Sequence, residues 1–120
     1  MQQFNLLTYA DQNYRPMQAK LVEHAVGLQA FDFIHTQGHA DLEETVFYQE
    51  NKAILDLPRG AGYCLWKPFF ILQKLMTLRE GDVLLYMDAA DWIEEGQDLR
   101  ETALKLMADK PIYLTDGAFK

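Results

Sequence analysis

The sequence predicts an α/β fold: a mostly parallel central sheet flanked by helices, in a single small domain spanning residues 1–120. Three observations lead there. Residues 83–87, V-L-L-Y-M, are apolar without alternation, the pattern of a strand covered on both faces. A buried helix segment gives the same pattern, but the short run and the Gly81-Asp82 before it favour a strand. Strand-like residues 3–9 and 30–36 enclose a helical stretch, and strand, helix, strand is the unit that builds parallel sheets. Finally, 120 residues with 49% hydrophobic content suffice for one packed core.

In chain order, Q-F-N-L-L-T-Y at 3–9 forms a first strand with Phe4, Leu6 and Leu7 as core residues. Thr8, Tyr9, Ala10 and Asp11 make the loop at its carboxyl end. Arg15-Pro16 starts a helix, since proline is tolerated in a first turn. Met17, Leu21, His24, Ala25 and Leu28 recur on its apolar face, and Gly27 is expected to end it with a left-handed cap. A-F-D-F-I-H-T alternates as a second strand, with Phe31, Phe33 and His35 sharing a face. Asp41 and Glu44 form a capping pair for a helix running to Leu57, with a break near Asn51. Pro68 opens a helix over 69–78 whose apolar residues cover most of its circumference, so it is expected to be largely buried. After 83–87 come a helix over 98–108 and a last strand at 111–114.

Composition excludes several classes. Eleven basic against eighteen acidic residues give a net charge of −7, which opposes non-specific nucleic-acid binding. One cysteine, Cys64, allows no internal disulfide framework and suits a reducing compartment. No apolar run reaches the ~20 residues of a membrane span, and the N-terminus lacks a secretory pattern. A cytoplasmic location is expected. His35 and His39 lie four apart, but a strand leading into a glycine loop does not align a zinc pair.

The residues with chemical potential cluster between 59 and 91. Asp88 directly follows the apolar strand and so falls at the carboxyl edge of the sheet, where open α/β sheets bind ligands. Asp91 comes one turn later, either as a second ligand for a cation or as a cap for the residues that follow it. Before the strand, Gly60 and Gly62 permit close approach of a ligand, and Arg59 and Lys67 bracket the loop. An arginine fork and a lysine point charge beside a helix start form a cradle for a diphosphate. Tyr63 or Trp66 would stack on a base or sugar. The competing description is a surface turn with two solvated cations and two core-packed aromatics.

The stretches R-G-A-G-Y, L-W-K-P and G-D-V-L-L-Y-M-D-A, separated by an apolar helix, resemble bacterial and viral glycosyltransferase-like proteins of the Rossmann-like GT-A fold. The resemblance covers about a quarter of the chain closely. It implies a metal-dependent transferase using a nucleotide diphosphate sugar, typically a uridine diphosphate sugar with Mn²⁺ or Mg²⁺, and a glycan, lipid or protein acceptor. It places the Asp-x-Asp metal motif on Asp88, with Ala90 at the usual second acid and Asp91 next. It assigns the nucleoside to Thr8, Tyr9 and Ala10, and the diphosphate to Lys67 and Arg59. Asp88 and Lys67 then carry the chemistry, by stabilising charge on the departing diphosphate. Proteins of this group usually extend for about another domain-length that holds the acceptor. Two alternatives stand beside the enzyme: a non-catalytic nucleotide-sugar module of the same fold, and an α/β interaction domain binding Mg²⁺ through Asp88 and Asp91.

Overall fold

The computed structural model describes residues 2–57, 65–90 and 99–107. Three parallel strands, β1 (Phe4–Tyr9), β2 (Phe33–Gln37) and β3 (Val83–Tyr86), form a sheet in the order β2-β1-β3. Among the described residues five helices accompany them: α1 (Arg15–Leu28), α2 (His39–Glu43), α3 (Val46–Leu55), α4 (Trp66–Leu75) and α5 (Leu99–Leu106). The register aligns Leu7 with both His35 and Tyr86.

The alternation of β1 divides the core in two. Leu7 and Tyr9 pack with Leu42, Tyr48, Leu55, Trp66 and Phe70, from α2, α3 and α4. Leu6, on the opposite side of the strand, packs with Leu21 and Ala25 of α1, Met87, and Leu99 of α5. The fold is therefore a three-layer α/β arrangement, as the segment order predicts.

Among the described residues the most buried strand is β1, not the 83–87 strand expected to be covered on both faces. All six residues of β1 are buried, whereas Leu84, Leu85 and Tyr86 of β3 are half-buried. Among the described residues β1 has a neighbour on each side and β3 has one. Asn5 sits inside this sheet and joins all three strands. Its side-chain amide donates to the Val83 carbonyl at 3.3 Å, and its Oδ1 accepts from His35 Nε2 at 3.1 Å. Burial and the nearby Lys74 ammonium hold the His35 imidazole below its ordinary pKa.

The helix ends show where local chemistry prevailed. Asp11 Oδ1 accepts from the backbone N–H groups of Asn13 and Tyr14, turning the chain into α1. α1 does not stop at Gly27, which lies inside it; Gln29 takes the left-handed conformation at φ 54° and donates its N–H to Val26 O. The single helix expected from Asp41 is two. Gly38 caps α2, and Asp41 is its third residue, accepting from Gly38 N at 2.8 Å. Thr45 then caps α3 by accepting from Tyr48 N at 3.1 Å. The break expected near Asn51 is present as a kink, where the Asn51 amide donates to Phe47 O at 2.9 Å.

α4 begins at Trp66, two residues before Pro68. It is not largely buried: Trp66 and Phe70 face the sheet one turn apart, while Leu72, Leu75 and Met76 are exposed. A helix lying on a sheet buries one stripe, so a nearly all-round apolar sequence leaves apolar residues outside. The strand expected at 111–114 lies outside the described residues.

Candidate functional site at the carboxyl edge of the sheet

Parallel strands bring their carboxyl ends to one edge. Tyr9 ends β1, Gln37 ends β2, and Asp88 follows β3 by two residues. The ladder is continued past β3 by Met87 N donating to Leu7 O at 3.0 Å. Extending the Leu7–Tyr86 register by two residues sets Asp88 level with Tyr9.

Lys67, the second residue of α4, reaches the same edge. Its Nζ lies 3.0 Å from Asp88 Oδ1. The same oxygen accepts a hydrogen bond from the Tyr86 hydroxyl at 3.1 Å. Tyr86 and Asp88 are two apart on an extended segment and therefore point to one side. The ammonium also stands 5.3 Å from the Tyr86 ring centroid and 5.8 Å from that of Trp66, within cation–π range. Both members of the ion pair are open to solvent, with side-chain exposures of 34% for Lys67 and 52% for Asp88.

Behind the pair is a rigid aromatic wall. Tyr9 stacks on Trp66 with ring centroids 3.9 Å apart and planes 20° from parallel. Trp66 is 6% exposed and one face is covered by Tyr9, so its ring is an anchor for the start of α4 and for Lys67 beside it, in place of the base-stacking surface expected. Thr8 and Tyr9 are strand residues, not loop residues, and Thr8, Tyr9 and Ala10 are all buried. Among the described residues the hydroxyls of Thr8 and Tyr9 have no hydrogen-bond partner. Burial pushes the Tyr9 phenol up to about 12, aided by the negative charges of Asp11 and Asp41.

Of the remaining residues singled out in the sequence, Arg59, Gly60, Gly62, Tyr63 and Asp91 lie outside the described residues. Tyr86 is the participant the sequence reading left in the core. Its spacing of two from Asp88 was the signal that would have found it. No three His, Cys, Asp or Glu side chains among the described residues group to hold a metal. Asp88 offers one carboxylate, of the hard oxygen type that Mg²⁺ and related ions accept. A shallow groove on the α1 side of the sheet, lined by Arg15, Gln18, Ala19, Val22, Glu23 and Thr36, shares no residue with this site. No described helix is long and apolar enough to cross a membrane.

The chain matches no protein-family model, no curated protein and no solved structure.

Proposed function

We propose that this edge is the donor site of a metal-dependent glycosyltransferase of the GT-A type, binding a nucleotide diphosphate sugar such as a uridine diphosphate sugar. One observation carries the reading: a lysine and an aspartate meet at 3.0 Å on the strand-end edge of a parallel sheet, the position where such folds bind ligands. An ion pair this exposed contributes at most about 1 kcal/mol to stability, so it exchanges partners at little cost.

In this reading the diphosphate takes Lys67 as its cation, and Asp88 turns to a divalent ion. That ion, Mn²⁺ or Mg²⁺, supplies Lewis-acid neutralisation of the leaving diphosphate when bound. Lys67 donates to a phosphate oxygen as the bond to the anomeric carbon breaks, stabilising the charge that develops there. The Tyr9–Trp66 wall excludes water from behind the lysine and fixes the start of α4. Arg59, Gly60, Gly62, Tyr63 and Asp91 stay in the proposal as the further ligand-binding candidates that the sequence names.

A second reading has its own support. Asp88 already has Lys67 as counter-ion, so the edge is equally suited to a module that binds a nucleotide sugar without turning it over. Thermal-shift titration with uridine and guanosine diphosphates, each with and without Mn²⁺, tests both. Stabilisation that requires metal and is lost in Asp88→Ala and Lys67→Ala supports the donor site. Hydrolysis of a uridine diphosphate sugar, lost in Lys67→Ala, selects the enzyme over the module. No stabilisation by any nucleotide in the wild type removes both.

A further inference from the structure

We infer that Tyr86 is the positioning residue of this edge, holding the Lys67 ammonium and the Asp88 carboxylate in a fixed mutual geometry. The inference rests on the donor-site reading only for its consequence in ligand binding; the positioning is a property of the unliganded chain.

Neither functional group is held in place by its own backbone alone. Asp88 lies beyond the last ladder residue of β3, and Lys67 has four rotatable side-chain bonds and a half-exposed head. Tyr86 contacts both. Its hydroxyl donates to Asp88 Oδ1 at 3.1 Å, and its ring faces Lys67 Nζ at 5.3 Å. The oxygen it holds is the one that meets the ammonium. Tyr86 itself is fixed from behind, because it is paired in register with Leu7 and its ring lies 6.3 Å from that of Trp66. Two interactions of different kind thus originate from one side chain, and they separate cleanly by substitution. Phenylalanine keeps the ring and removes the hydrogen bond; leucine removes both.

Two measurements on the full chain test this. In the unliganded protein, the Lys67 ammonium resonance is followed by ¹H–¹⁵N NMR, which is sharp only while an ion pair slows its exchange with water. The expected order of sharpness is wild type, then Tyr86→Phe, then Tyr86→Leu. In the second measurement, affinity for uridine diphosphate with Mn²⁺ is compared across a double-mutant cycle of Tyr86→Phe and Asp88→Asn. Tyr86→Phe is expected to weaken binding roughly fivefold, as for one hydrogen bond of ordinary net strength. That loss should shrink on the Asp88→Asn background, where a neutral amide oxygen replaces the carboxylate as the acceptor of the hydroxyl. A purely structural role would give additive losses and is the result that overturns the inference, as is an unchanged Lys67 resonance in both variants. A wild type that binds no nucleotide, with the NMR order as expected, sinks the donor-site reading and leaves the positioning role standing.

Discussion

The phenol ring of Tyr9 and the indole of Trp66 lie 3.9 Å apart, joining the last residue of β1 to the first residue of α4. This stack carries the candidate lysine, so the stability of the wall and the geometry of the site are linked. Trp66→Ala is expected to cost ~3–5 kcal/mol of folding stability by urea denaturation, the range for removing a buried tryptophan. Tyr9→Phe should act oppositely. It retains the stack and removes a buried hydroxyl that has no partner among the described residues, stabilising the fold by about 1 kcal/mol.

The same hydroxyl sets an alkaline limit. Folding raises the Tyr9 pKa from 10 to about 12, so the unfolded chain loses this proton first. Stability is therefore undiminished by this group below pH 10 and falls as pH rises towards 12. Tyr48, whose hydroxyl donates to Asp56 at 2.6 Å, is also pushed up to about 12 by that hydrogen bond. Absorbance titration at alkaline pH should show a late phenolate component that diminishes in Tyr9→Phe and again in Tyr48→Phe.

At the amino edge of the sheet two carboxylates set the acid limit. Asp32 accepts from Phe4 N at 2.8 Å and Asp82 from Gln3 N at 3.0 Å, and these bonds hold both below the usual aspartate pKa. Depressed carboxylates stabilise the fold above the unfolded pKa near 3.8, and that stabilisation disappears as pH falls below it. The loss of stability between pH 4 and pH 2, followed by circular dichroism, should be shallower in Asp32→Asn and Asp82→Asn.

The carboxyl end of α1 offers a backbone test. Gly27 is helical with nothing within 4 Å of where a Cβ would stand, and Gln29 is left-handed. Gly27→Ala and Gln29→Gly should each stabilise by about 0.5–1 kcal/mol, measured by urea midpoint at constant slope.

Lys67→Met and Asp88→Asn should each change stability by no more than about 1 kcal/mol, because the pair is exposed. Any loss of ligand-induced stabilisation in these variants then reports on the site and not on folding.

Much of this architecture was readable from spacing. The segment order gave the α/β class, the 83–87 run and Asp88 gave the edge, and Arg15-Pro16 located α1. What escaped depended on choices between near-equal local signals or on long-range pairing. Asp41 serves α2 from its third position by accepting from Gly38 N, and Thr45 caps α3, because a helix start is set by which backbone N–H groups find an acceptor. Nothing in a single strand's composition says that, among the described residues, β1 and not β3 has a neighbour on each side; that follows from which edges meet. Trp66 read as a stacking surface because its neighbours are basic, but the helix began early enough to turn it towards Tyr9.

Asn5, wedged among its apolar neighbours on β1, bears on how the chain avoids wrong answers. Sliding either outer strand by one position would leave its amide facing hydrocarbon with its bonds to His35 or Val83 gone. Mispaired alignments are thereby penalised more than the native one is rewarded. Asn5→Leu would yield a molecule that folds tightly yet samples several alignments, with the spacing of Tyr9 and Asp88 no longer unique.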